Sequence, residues 1–241
     1  MTASTSRVIF QLAKAPDYRF PDVELAGPEG LLAVGGDLNT GRLLAAYQHG
    51  IFPWYSEDQP ILWWSPDPRA VLLPDKLKIS RSLSKTIRKN IFRMTLDQQF
   101  ERVIQACANT RRGNTETGTW ITPEMMNAYI KLHETGYAHS VEVWYDDKLV
   151  GGLYGIALGK AFFGESMFSH MTDASKVGFC FLVRQLDRWG YHFIDCQVES
   201  AHLASLGAEP TPRNQFIDML NQALKHEDRP AHWAADLEQI F

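Results

Sequence analysis

The sequence predicts a mixed α/β chain, and three observations predict it. Two alternating apolar runs flank an Asp-Asp-Lys turn, an amphipathic stretch occupies 174–189, and an apolar run resumes at Tyr191–Gln197. Antiparallel strands, then a helical crossover, then another strand describe a mixed sheet of the α/β (α+β) class. Ahead of it the first sixty-odd residues are rich in proline, glycine and aromatics and read as a small domain of their own. The expected division is 1–67 for that domain and 68–241 for the larger one, with the boundary at Pro66-Asp67-Pro68.

Taken in order, the first clear element is a helix with Thr40 as N-cap, running through Arg42–Gln48 and closed by Gly50. Ile51–Tyr55 and Ile61–Trp64 read as irregular, because Pro60, Pro66 and Pro68 exclude a helix there and aromatics supply the packing. Apolar spacing then predicts helices at about 80–90, 97–108 and 123–135. Thr122 caps the last of these, with Pro123 at its first position and Gly136 at its end. Ser140–Tyr145 and Leu149–Ile156 form a hairpin around Asp146-Asp147-Lys148, with glycines in the second strand where something approaches the backbone closely. A strand at 161–165 follows, then the helix 174–189 with Phe179, Leu182, Val183 and Leu186 on one face. The strand Tyr191–Gln197 and a helix near 213–225 complete the reading.

Composition narrows the class of protein. With 241 residues, 45% hydrophobic and 22% charged, the chain can bury a substantial core. It contains no run of about twenty apolar residues and no basic-then-apolar leader, so a cytosolic protein with no membrane partner is expected. Cys107, Cys180 and Cys196 are widely spaced and odd in number, which argues against a disulfide framework or a cysteine zinc site. The formal net charge of −4 argues against nonspecific coating of nucleic acid.

Chemistry concentrates where two apolar strands end in polar residues. Ala161-Phe162-Phe163-Gly164 runs into Glu165, and Tyr191-His192-Phe193-Ile194 runs into Asp195-Cys196-Gln197. A carboxylate at a buried strand end costs desolvation free energy unless it has a partner or a role, which makes each a functional candidate. Strand alternation puts Asp195 and Gln197 on one face and Cys196 on the other. Leu153, Phe162, Met167, Ile194 and the helix face of Phe179, Leu182 and Leu186 are placed to form an apolar pocket beneath the acids; core packing is the simpler role for most of them.

Residues 76–93 carry seven positive charges and no negative one. On a helix over 80–90, Arg81, Lys85, Arg88 and Lys89 share a face suited to a phosphate backbone, although a solvated face explains such spacing equally well. Trp54 and Trp120 lie among turn residues, where an indole can stack on a base. Gly155–Lys160 is one residue short of a phosphate loop, and no Gly-x-Ser-x-Gly elbow or metal-ligand spacing occurs, so neither metal nor cofactor is expected.

With these residues assembled, the chain resembles the leucyl/phenylalanyl-tRNA–protein transferases of bacteria. The resemblance rests on Gly30–Leu38, Tyr47-Gln48-His49-Gly50-Ile51-Phe52-Pro53-Trp54, Leu62–Arg69, Gly118–Thr122, His139–Trp144, Gly164-Glu165-Ser166-Met167-Phe168-Ser169, Asp195-Cys196-Gln197 and Ala204–Ala208. It implies a small N-terminal domain joined to an acetyltransferase-like domain. It implies an enzyme that moves leucine or phenylalanine from aminoacyl-tRNA to proteins beginning with arginine or lysine, marking them for degradation, and working as a monomer. Carried over by motif, Trp54 and Trp120 hold the terminal adenosine, and Leu153, Phe162, Met167 and Ile194 line the amino-acid pocket. Glu165, Asp195 and Gln197 form the reactive floor, and Arg81, Lys85, Arg88 and Lys89 hold tRNA phosphates. Two roles for Asp195 fit such chemistry: it accepts an amine proton, oriented by or acting through Gln197, or Asp195 or Glu165 attracts the acceptor's basic side chain while the tRNA's own ribose hydroxyl relays protons. The segment Arg111–Thr117 is longer than is usual there. Two competing classes remain, an acetyl-CoA-dependent N-acetyltransferase and a noncatalytic RNA-binding module. Asp173 stands where the first would need bare backbone amides for a pyrophosphate, and paired acids would repel RNA in the second.

Overall fold

The computed structural model describes residues 9–110, 120–229 and 231–235. The chain opens with β1 (Phe10–Leu12), β2 (Leu31–Gly35), α1 (Thr40–Gln48), β3 (Phe52–Pro53) and β4 (Leu62–Trp64). Their sheet runs β1-β2-β4-β3, parallel at β1-β2 and antiparallel elsewhere. The two aromatic segments read as irregular are thus paired strands. Proline did not prevent this, because Pro53 sits on the edge strand, where no neighbour asks for its missing N–H. Helix α1 begins at Thr40 itself, with Asn39 in the cap position.

The second sheet takes up the chain immediately after Pro68. It comprises β5 (Arg69–Leu72), β6 (Arg93–Leu96), β7 (Ala138–Tyr145), β8 (Lys148–Leu158), β9 (Ala161–Ser169), β10 (Phe193–Gln197) and β11 (Glu209–Thr211). Helices α2 (Arg81–Arg88), α3 (Phe100–Ala108), α4 (Pro123–Glu134), α5 (Ala174–Arg188), α6 (Ala201–Ser205) and α7 (Arg213–Ala223) are interspersed. The strand order is β11-β5-β10-β9-β8-β7-β6. All neighbours are antiparallel except β9-β10, and α5 makes the crossover which that parallel pair requires. The fold is therefore mixed α/β, as expected.

Local chemistry sets the expected elements. Thr122 Oγ1 accepts the Met125 N–H at 3.2 Å and Pro123 opens α4. Asp146 and Asp147 have φ of 45° and 58°, the left-handed pair that a two-residue hairpin turn needs. Helix α3 starts three residues later than its apolar spacing implied, because buried Glu142 accepts the Gln98 and Gln99 N–H groups and holds 97–99 outside the helix. At Gly155 a Cβ would lie 2.2 Å from the Phe163 carbonyl oxygen and 2.5 Å from the Phe162 ring, so glycine there lets that ring lie against β8.

Both faces of the large sheet are covered. Tyr154, Ile156 and Leu158 of β8 belong to one apolar cluster with α3, α4 and the small sheet, while Leu153 and Ala157 belong to the other with α5. This period-2 division decides which side chains reach the space between the sheets.

Candidate active site

A cavity of about 690 Å3 lies where β3 approaches β8, β9 and β10. Leu153, Phe162, Met167, Phe179 and Ile194 line it, together with Trp54 and Trp120. Trp54 is 46% exposed, whereas Trp63 is fully buried with its indole N–H on the Gly35 carbonyl. Leu182 and Leu186 are not on its wall. They follow Phe179 by one and two turns, and α5 carries them past the cavity into the core, where both are buried. All three cysteines are free and buried; Cys196 lines the cavity, and desolvation pushes its thiol well above the usual range, so it is a poor nucleophile.

Two β-bulges build the floor. In the β8-β9 ladder Gly155 opposes Gly164 and Tyr154 opposes Ser166, which leaves Glu165 as the extra residue. In the β5-β10 ladder Val71 opposes Asp195 and Ala70 opposes Gln197, which leaves Cys196 as the extra residue, and Gln197 takes φ 62°. A bulge breaks side-chain alternation. Cys196 and Gln197 consequently both line the cavity while Asp195 does not, which corrects the face assignment made from strand periodicity.

Asp195 is fully buried and faces a cation. Arg69 Nε donates to Asp195 Oδ1 at 2.9 Å and Nη2 to Oδ2 at 2.7 Å, and Nη1 donates to the Gly50 carbonyl at 3.0 Å. The guanidinium sits 4.7 and 4.6 Å from the ring centroids of Phe52 and Phe216. Asp195 Oδ1 also accepts the Gln197 backbone N–H at 2.8 Å, so it fixes the residue that bends into the cavity. Both oxygens of this carboxylate are thus engaged by donors, and its contact with the cavity runs through Gln197. Arg69 was not identified as a site residue, since nothing in sequence links it to an acid 126 positions away.

Glu165 has the opposite environment. Tyr47 Oη donates to its Oε1 at 2.8 Å, Tyr129 Oη to its Oε2 at 3.0 Å and Gln197 Nε2 to its Oε1 at 2.8 Å. Burial pushes its carboxyl up to about 7 against these donors, and the Asp195 charge adds to the rise. The two tyrosine hydroxyls also touch each other. Three oxygen–oxygen contacts around Tyr47, Tyr129 and Glu165 need three protons, and two hydroxyls carry only two. In its protonated form Glu165 supplies the third, and one tyrosine hydroxyl then accepts from the carboxyl while donating to the other tyrosine. Tyr47 and Tyr129 were also missed by sequence reading, although Tyr47 lies in one of the quoted motifs.

Elsewhere, Arg81, Lys85, Arg88 and Lys89 are all exposed along α2 and its C-cap, and among the described residues none has an acid within ion-pair distance. Asp173, before α5, accepts from Thr86 Oγ1 and pairs with Lys176. The segment Arg111–Thr117 lies outside the described residues. Asp97, His133 and His232, away from the cavity, bring ligand-type atoms within 4.8 Å of one another, a grouping not anticipated from histidine spacing. The Asp97 carboxylate there already accepts from the Ser140 and Trp233 amides and from His139 Nδ1.

Comparison with known proteins supplies a family. Residues 71–221 match the family described as leucyl/phenylalanyl-tRNA protein transferase, and residues 36–67 match the N-terminal domain of the same family. The chain is 54% identical over 226 residues to the leucyl/phenylalanyl-tRNA–protein transferase of Nitrosospira multiformis, covering 93% of this chain and 97% of that one. It is 57% identical over 226 residues to the same-named protein of Stutzerimonas stutzeri, covering 92% and 98%. Among solved structures, a GCN5-related N-acetyltransferase from Kribbella flavida matches with a TM-score of 0.34 and 13% identity, over 72% of this chain and 62% of that one.

Proposed function

The chain belongs to the leucyl/phenylalanyl-tRNA–protein transferase family, and from that premise we propose that it moves leucine or phenylalanine from aminoacyl-tRNA to the N-terminal arginine or lysine of an acceptor protein. It acts as a monomer in the cytosol; among the described residues no helix is long and apolar enough to cross a membrane. The observation that carries the reading is the cavity itself, with a largely apolar wall, Glu165 and Gln197 at its floor, the polar residues Glu199, Ser200 and His202 at one side, and a half-exposed tryptophan beside it. A volume of about 690 Å3 takes a large apolar side chain and a nucleoside together.

In this assignment Leu153, Phe162, Met167, Phe179 and Ile194 receive the leucyl or phenylalanyl side chain. Trp54 and Trp120 stack on the terminal adenosine, and Arg81, Lys85, Arg88 and Lys89 hold phosphates further along the tRNA. The small domain, 1–67, brings Trp54 to the larger domain, 68–241. The ester is already activated, so the acceptor α-amine has only to be neutral, close and aimed. Its nitrogen bonds to the carbonyl carbon, the carbon–oxygen bond to the ribose breaks, and the amine proton ends on the departing ribose oxygen. Gln197 Nε2 is engaged by Glu165, which leaves the amide oxygen to accept a hydrogen bond from the amine. Asp195 acts as a positioning residue through the Gln197 N–H, and Glu165 holds the Gln197 amide.

Transfer of radiolabelled phenylalanine from tRNA to an arginine-started peptide tests this directly. The label is expected to move to the peptide with the purified protein alone. Label that stays on the tRNA with every cationic acceptor overturns the reading.

A further inference from the structure

A second cavity of about 360 Å3 adjoins the first. Glu199, Ser200 and Leu203 line both, so the two are continuous around the turn between β10 and α6. Room is made by small side chains, Ala70 on β5, Ala201 and Ala204 on α6, and Ala208 ahead of β11. Its charged lining consists of Glu199 and Glu209, with no basic side chain among the described residues. Glu209 faces Lys78 loosely, at 3.9 Å with both side chains well exposed. Glu199 is exposed and makes no hydrogen bond or ion pair among the described residues.

Charge singles out Glu199. Asp195 is neutralised by Arg69, and Glu165 is enclosed by three donors. The acids on the wall of the first cavity are Glu165 and Glu199, so Glu199 is the carboxylate there left to meet a cation. It stands two residues beyond Gln197, at the junction of the cavities. An acceptor whose backbone lies in the second cavity therefore brings its first side chain to Glu199 while its α-amine reaches Gln197.

Resting on the transferase reading, we propose that this second cavity is the acceptor-polypeptide site, and that Glu199 pairs with the ammonium or guanidinium of the acceptor's first residue. The small alanines take the backbone of the residues that follow. Selectivity for a basic N-terminal residue then comes from a carboxylate outside the reacting floor, and the floor carboxyls are left to orient Gln197.

Steady-state transfer with short peptides beginning with arginine, lysine or norleucine tests the site, using wild type, Glu199→Gln and Ala204→Trp. For Glu199→Gln the acceptor KM for arginine and lysine peptides is expected to rise roughly fivefold, the size of one partly exposed ion pair, with no change for norleucine. Ala204→Trp, which fills the cavity, is expected to raise the peptide KM but not that of argininamide, which has no following residues. The KM for aminoacyl-tRNA should stay constant in both, and unchanged melting temperatures verify the fold. Wild-type transfer with the same acceptor KM in both variants overturns the subsite and leaves the transferase reading standing. Absence of transfer by wild type overturns that reading and the subsite with it.

Discussion

Replacing Glu165 by glutamine isolates the proton on the cavity floor. Burial holds this carboxyl near 7 in the folded protein, against an ordinary value of 4.5. A raised value means that folding favours the protonated form, so its stabilising contribution is complete below about 4.5 and is lost as pH rises through about 7. The difference amounts to ~3 kcal/mol over that window, since each pKa unit corresponds to about 1.4 kcal/mol. Glutamine keeps a neutral acceptor and an N–H donor in place of the protonated carboxyl, so the ring with Tyr47 and Tyr129 survives without a titrating member.

Urea denaturation of both proteins across pH 4.5 to 8 reads the effect as a difference, in which every other titrating group cancels. Glu165→Gln is expected to gain stability relative to wild type with rising pH, by ~3 kcal/mol in all, most of it between about pH 4.5 and 7. Parallel profiles for the two proteins would refute both the raised carboxyl and the proton count around the ring. A gain in the opposite direction would mean that the tyrosine donors outweigh burial and that Glu165 is ionised throughout.

Arg69→Met strands Asp195 as an uncompensated buried charge and is expected to cost about 3–5 kcal/mol of stability at neutral pH, read by denaturant unfolding; adding Asp195→Asn should recover a large part of it. Lys85→Ala and Arg88→Ala leave the core untouched, since both side chains are exposed. Each should lower the slope of log affinity for tRNA against log salt by about 1, measured by filter binding over a salt series, with unchanged melting temperature.

The elements legible in sequence were those long enough to show a period. Helices α3, α4, α5 and α7 and the β7-β8 hairpin have repeated apolar spacing and recognisable caps or turns, and the structure places them within a few residues of expectation. Strands β1, β3, β4 and β11 are two or three residues long, too short for alternation to appear, and they form only because neighbours pair with them. The apolar wall was readable for a similar reason, since Leu153, Phe162 and Ile194 lie in apolar strand runs. What sequence could not give was direction after a bulge. One extra residue at Glu165 and one at Cys196 reset the faces of β9 and β10, and a bulge leaves no mark in residue type. Arg69, Tyr47 and Tyr129 were hidden because their partners lie tens of positions away or more.

The two buried carboxyls at and behind the floor have different environments, since Asp195 is paired with a guanidinium and burial raises the Glu165 carboxyl to about 7. This distinction matters for a reaction whose nucleophile is an amine. An ionised carboxylate beside an α-amino group favours the ammonium form, which has no lone pair with which to attack. An α-amine in water has a pKa of about 7.7–8.0, so every unit of upward shift removes most of the reactive fraction at neutral pH. With Asp195 paired to Arg69 and the Glu165 carboxyl raised to about 7, the floor carries less negative charge at neutral pH than two free carboxylates would. Negative charge is displaced to Glu199 at the cavity junction, where it can hold a side-chain cation at a distance from the attacking nitrogen. In the proposed assignment, separating the charge that selects the acceptor from the dipoles that orient its amine would let one cavity be selective for a cation and still leave the nucleophile neutral.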